Sequence, residues 1–173
     1  RSDKDGAQYA LTFDDRTATL FQGNDSIRAG KFAFSFAVPK DLHYSDASAL
    51  VNLYAVNTER TEIANGWCDK FVANGSDVAD NDSIGPSIFC YLNSPSFVNG
   101  GKVNTTPYFV ANIKDQDGLN ASGSGIGHDM QLTIDGDMNK TYSLNDYFTF
   151  DFGSYTSGST CYSLPELTPG KHR

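Results

Sequence analysis

Apolar and polar residues alternate with a period of two along most of this 173-residue chain. Phe32, Phe34, Phe36 and Val38 fall on one side of an extended segment, and Ala33, Ser35 and Ala37 on the other. That pattern predicts a strand with one heavy apolar face. Runs of the same kind lie at 9–13, 17–21, 50–56, 88–92, 108–113, 130–134, 147–152 and 160–164. Between them stand the pairs Asp5-Gly6, Asn65-Gly66, Asn74-Gly75, Asn99-Gly100, Asp117-Gly118 and Asp135-Gly136. Asn and Asp tolerate the left-handed backbone of a tight turn, and Gly adopts it without a Cβ clash. No window carries the i, i+3, i+4, i+7 spacing with helix caps. Short strands separated by turn chemistry predict an all-β fold, an immunoglobulin-like antiparallel β-sandwich.

The periodicity breaks at 76–85, a polar, acidic stretch that ends in Gly85-Pro86. A segment of this kind suits a linker or a long loop. The expected organisation is therefore two small sandwich modules in tandem, 1–76 and 85–173, joined by an acidic linker at 77–84. The competing arrangement is one continuous sandwich with that stretch as a surface loop. The start without Met and the stop at Lys171-His172-Arg173, just after a Pro-Gly turn, read as an excised piece.

Composition agrees with a packed core, since 12 Phe and 9 Tyr are too many aromatics for a disordered chain. The formal charge of −8 repels phosphate backbones and argues against nucleic acid as a partner. No stretch approaches the roughly 20 apolar residues that span a bilayer as a helix. Three cysteines, Cys68, Cys90 and Cys161, permit at most one internal disulfide, and no pair has zinc-site spacing. Cys90 is in phase with Ile88 and Leu92 and is expected to be a buried thiol acting as a small hydrophobe.

Short signatures then follow one another in a specific order. Asp25-Ser26-Ile27-Arg28-Ala29-Gly30-Lys31-Phe32 leads to Phe36-Ala37-Val38-Pro39-Lys40-Asp41 and to Val51-Asn52-Leu53-Tyr54-Ala55-Val56. Tyr91-Leu92-Asn93, Val103-Asn104-Thr105-Thr106-Pro107 and Asp115-Gln116-Asp117-Gly118-Leu119-Asn120 come next. Gly123-Ser124-Gly125-Ile126-Gly127-His128-Asp129, Leu144-Asn145-Asp146-Tyr147 and Pro169-Gly170-Lys171-His172 complete the series. In this order they resemble the region downstream of the protease domain in type IX secretion system sortases, the gingipain-like PorU family. The resemblance implies a parent of the peptidase C25 type, an exported cysteine endopeptidase held at the Gram-negative cell surface, at the outer membrane. Such a parent removes the C-terminal export signal from cargo and joins the new terminus to lipopolysaccharide. It implies that this chain corresponds to the β-sandwich modules alone, with the protease domain, an outer-membrane secretion partner and cargo signal domains as partners. Family sequences run on past the Pro-Gly-Lys-His turn into a further strand, so the second module is expected to lack its last strand and expose an edge.

Candidate chemistry divides into what fails and what survives. A thiolate nucleophile needs an adjacent imidazole, and His43 precedes Cys68. Nothing around that pair reads as the α/β sheet such dyads occupy, so no catalytic residue is expected. Gly123, Gly125 and Gly127 form a glycine-rich loop, but a strand pattern follows where a phosphate cradle needs a helix. Asp115, Asp117 and Asn120 place three oxygen donors within six residues, a set that could hold Ca²⁺ although its spacing departs from the EF-hand. Plain turns use Asp and Asn in the same way. Asp77, Asp80 and Asp82 read as solvated linker charge.

Two surfaces remain. The segment from Asp115 to Asp129 concentrates glycine and polar groups, and Gly125, His128 and Asp129 are its candidate partner-binding residues. Tyr142, Tyr147, Tyr155 and Tyr162 crowd the end of the chain and are expected to pack between strands. The functional expectation is a non-catalytic scaffold and docking region of a surface sortase. The alternative is a carbohydrate-binding or adhesion module of an exported protein; such modules expose Trp and Tyr platforms, yet the single Trp67 lies next to Cys68 just after a turn.

Overall fold

The computed structural model describes residues 19–38, 48–72, 84–123 and 129–173. The expected strand at 9–13, the turns at Asp5-Gly6 and Asn74-Gly75 and all of the acidic linker except Ile84 lie outside them. The described residues are all-β, as the alternation predicts, and every ladder is antiparallel. Their eight strands are β1 (Ala49–Val56), β2 (Ile63–Phe71), β3 (Ser87–Leu92), β4 (Tyr108–Lys114), β5 (Gln131–Thr133), β6 (Thr141–Ser143), β7 (Phe148–Phe150) and β8 (Ser157–Ser163). Three sheets result, ordered β1-β2, β3-β4-β8-β7 and β5-β6, with no closed barrel, consistent with a sandwich. No described helix is long and apolar enough to cross a membrane.

The chain forms two compact units, one of Arg1–Pro39 with Gly85–Arg173 and the other of Lys40–Ile84. This partition places residues 19–38 with the later half of the chain. Aromatic packing accounts for it. Phe21 stacks on Phe36 with ring centroids 5.4 Å apart and meets Phe150 at 4.9 Å. The Gly153 N–H also donates to the Asn24 carbonyl at 2.8 Å.

Register explains where the core of this unit sits. Ile113 pairs with Gly158, which pairs with Phe150; Ala111 pairs with Thr160, which pairs with Phe148. Residues directly opposite share a face, so one face of the four-stranded sheet collects Ala111, Ile113, Thr160 and Phe150. All four are buried. Leu144, just after β6, joins them at 3 % exposure and its carbonyl accepts the Thr160 hydroxyl at 3.1 Å. Gly158 lies under the Phe148 ring, and a Cβ there would stand 2.6 Å from the Thr149 carbonyl oxygen, so only glycine fits. The late tyrosines do pack between elements: the Tyr162 ring meets those of Tyr142 and Tyr147, each at 5.1 Å.

Three expectations are corrected. The segment at Phe32 to Val38, expected as a strand, forms no ladder among the described residues. Among the described residues the one bridge beside it joins Arg28 and Lys31 across the Ala29-Gly30 turn. Phe32, Phe34 and Phe36 stack on one another at 6.3 Å spacing, the alternation read from sequence, yet Phe32 and Phe34 stay exposed. Cys90 is exposed too, because β3 is an edge strand and its Ile88 neighbour is also open to solvent. Asn65-Gly66 is no turn but lies inside β2, opposite Tyr54 and Leu53. The chain reverses earlier, where the Asn57 side-chain oxygen accepts the N–H groups of Thr61 and Glu62 and Arg60 takes a left-handed φ of 56°.

Candidate functional site

The loop that follows β4 holds most of the candidate residues, and its course is fixed by short hydrogen bonds. The Asp115 N–H donates to the Thr156 carbonyl at 2.9 Å and the Leu119 N–H to the Tyr155 carbonyl at 3.0 Å. These bonds tie the loop to the turn that precedes β8. Gly118 turns at a φ of 112°, and a Cβ on it would lie 2.6 Å from Ala37 and 3.2 Å from the Tyr155 ring. The Asp117-Gly118 pair therefore makes the expected turn, with glycine required by both backbone angle and close approach.

The oxygen donors of the loop serve its own backbone. Asp115 Oδ1 accepts the Asp117 N–H at 3.1 Å, and Asn120 Oδ1 accepts both the N–H and the hydroxyl of Ser122, at 3.1 and 2.6 Å. Hydrogen bonding of this kind is the ordinary use of Asp and Asn in turns. It leaves two carboxylates, one already engaged, where Ca²⁺ takes six to eight oxygens. Among the described residues no three His, Cys, Asp or Glu side chains come together as a metal site.

Gly125 and His128 lie outside the described residues; Asp129, at the far stem of that loop, is exposed. Both stems meet one side chain that the sequence reading passed over. Asn145 Nδ2 donates to the Ala121 carbonyl at 3.4 Å, and Asn145 Oδ1 accepts the Met130 N–H at 3.0 Å. Gly123, at a φ of 61°, sits so close that a Cβ would be 3.1 Å from the Asn145 amide. Asn145 thus staples residue 121 to residue 130 and holds the base of the glycine-rich loop. Its only signal in the sequence was its place in the Leu144-Asn145-Asp146-Tyr147 signature, which carries no role by itself.

Cysteine and histidine stay apart in what is described. All three cysteines are free thiols. Crowding by neighbours raises the Cys90 pKa, and a hydrogen bond with Cys161, followed by desolvation, raises that of Tyr108. His43 lies outside the described residues, while Cys68 is exposed on β2. His172 bonds to Asp135 and to the Thr168 carbonyl, with no thiol among those partners.

With this geometry in view, likeness to a solved structure is informative. Over 79 % of its length the chain is 38 % identical to dimeric latent PorU from Porphyromonas gingivalis, with a TM-score of 0.52. This stretch is PorU-like. It spans only 13 % of the length of that PorU chain. No family model and no curated protein matches the sequence. The likeness agrees with the sortase resemblance carried by the ordered signatures, and it extends to a PorU-like region and not to a whole enzyme.

Proposed function

We propose that this chain is a non-catalytic β-sandwich region of an exported, PorU-like sortase of the type IX secretion system, acting as scaffold and docking surface at the cell surface. The observation that carries this reading is the 38 % identity to a stretch of PorU over most of the chain. The mechanism is positional: a rigid sheet holds the protease domain beside its outer-membrane partner and presents a loop to cargo signal domains. The loop from Asp115 to Asp129 is the contact surface. Its near arm is pinned through Gly118 and its two stems are joined by Asn145, so it stands on a fixed base.

The test is a PorU-like parent carrying His128→Ala and Asp129→Ala. Reduced capture of cargo signal domains, with the protein still folded, is the expected result. Unchanged capture and unchanged cargo processing would retire the loop as the contact surface.

One observation favours a second reading, a carbohydrate-binding or adhesion module. On one face of the β1-β2 hairpin, Tyr54 and Trp67 are 69 % and 68 % exposed and stand diagonal to each other, opposite Asn65 and Asn52. Aromatic faces beside amides can stack on and hydrogen-bond to sugar rings. Saturable quenching or enhancement of Trp67 fluorescence by oligosaccharides would move the balance to this reading.

A further inference from the structure

Away from that loop, residues 168–173 meet the β5-β6 hairpin in a closed set of polar contacts. Asp135 and Gly136 take φ values of 58° and 71°, the left-handed pair of a tight turn. The Asp135 N–H donates to the Arg173 main-chain oxygen at 2.6 Å, and the Arg173 N–H donates back to Asp135 Oδ1 at 2.7 Å. His172 lies between them, its Nδ1 2.8 Å from Asp135 Oδ2 and its Nε2 2.7 Å from the Thr168 carbonyl.

A carbonyl and an ionised carboxylate can only accept hydrogen bonds, and neutral imidazole carries a single N–H. Either neutral tautomer would set a ring lone pair against an oxygen lone pair. Only the imidazolium satisfies both contacts. We propose that His172 is a pH-operated latch: doubly protonated, it fastens residues 168–173 to the Asp135-Gly136 turn, and on losing a proton it lets them go. Leu167, whose N–H donates to the Thr105 carbonyl at 2.8 Å, marks where the releasable segment begins.

The charges around the ring agree with that assignment. The Thr168 carbonyl first, and Asp135 second, raise the His172 pKa above its ordinary 6.5, while partial burial and Lys140 on the adjoining 3₁₀ turn oppose them. Asp135 is held below its ordinary 3.8, first by the bond from His172 and then by the Arg173 N–H. Lys171 and Arg173 flank the ring along the chain. A raised histidine pKa adds stability below 6.5 that is lost as pH rises through the folded value. A lowered carboxylate pKa adds stability above 3.8 that is lost as pH falls through the folded value. The latch is therefore closed in a window bounded by the depressed Asp135 value and the raised His172 value.

An NMR titration of the 173-residue chain tests this, with His172 assigned by the signal missing from His172→Gln. Expected are protons on both ring nitrogens at mildly acidic pH, a midpoint above 6.5 that falls in Asp135→Asn, and an Arg173 amide whose exchange protection drops several-fold through that midpoint. In His172→Gln that pH step should vanish while Thr160, in the core, keeps its protection. A midpoint at or below 6.5, or an Arg173 protection step that survives in His172→Gln, would overturn the latch.

Discussion

The ladder between β1 and β2 and the ladder between β4 and β8 each pair seven positions, yet they rest on different supports. Behind β4 and β8 lie Ala111, Ile113, Phe150 and Leu144, all buried, and Thr160 at 1 % exposure. No described residue of the β1-β2 hairpin is buried, and Tyr54, Ile63 and Trp67 are each more than 60 % exposed. Backbone hydrogen bonds are exchanged for bonds to water on unfolding and contribute little net stability, so an isolated two-stranded hairpin is marginal. Equal ladders thus predict unequal stability. In the four-stranded sheet the side chains behind the ladder hold it; in the hairpin the turn has to.

The largest effect that can test this contrast is Phe150→Ala. The ring touches Phe21 at 4.9 Å and Phe148 at 4.9 Å, and removing it should cost about 3–5 kcal/mol in the sheet. The chain has one tryptophan, Trp67, and it belongs to the hairpin. Urea unfolding followed by far-ultraviolet circular dichroism should move to lower denaturant, while the Trp67 emission transition stays in place. If both probes shift together by the same free energy, the contrast is wrong and one core supports both ladders.

Gly158→Ala should come next, at about 1–3 kcal/mol. The new methyl would press on the Thr149 carbonyl oxygen, which belongs to the paired strand β7 and cannot swing aside as a side-chain tip could. Thermal unfolding of the variant measures it. A melting temperature equal to that of the parent chain would mean that β7 gives way, and that the sheet edge is softer than its burial implies.

What the sequence disclosed follows the same division. β1, β3 and β4 were legible to within a residue because each is a run of strand-forming residues bounded by turn or polar positions. β2 was not, since Ile-Ala-Asn-Gly-Trp-Cys-Asp-Lys-Phe has no alternation and contains a turn signal; pairing with β1 makes it a strand. β6, only three residues long, is likewise fixed by its partner. The Phe32 to Val38 pattern put the three rings together correctly but predicted neither the missing ladder nor their exposure, because alternation says which residues share a face and nothing about what covers it. At the candidate site the Asp117-Gly118 turn was readable from local chemistry. The Asn145 staple was not, because its partners Ala121 and Met130 lie 24 and 15 residues away.

Within the hairpin the order of effects should invert. Asn57→Ala removes the acceptor for the Thr61 and Glu62 N–H groups and the donor to the Thr61 hydroxyl, and should cost about 0.5–1.5 kcal/mol. Ile63→Ala, a larger apolar deletion at an exposed position, should stay within about 0.5 kcal/mol. Trp67 emission through a denaturant series reads both. An Ile63 effect larger than the Asn57 effect would show that a face of the hairpin is covered after all.

The smallest effect is kinetic and compares two exposed thiols, Cys68 on the hairpin and Cys90 on the edge strand β3. Thiolate is the reactive form, so a thiol whose pKa is raised reacts more slowly at a given pH. Crowding around Cys90 raises its pKa from 9.0, which marks even the edge of the sheet as partly shielded. With Cys161 replaced by Ser, Ellman's reagent at neutral pH should label Cys68 before Cys90, and single Cys→Ser variants assign the two phases. Raising the pH through the Cys90 value should narrow the gap, because Cys90 then reacts as thiolate. Faster labelling of Cys90 at neutral pH would mean that β3 frays more readily than the hairpin, and the ranking of the two ladders would have to be reversed at that edge.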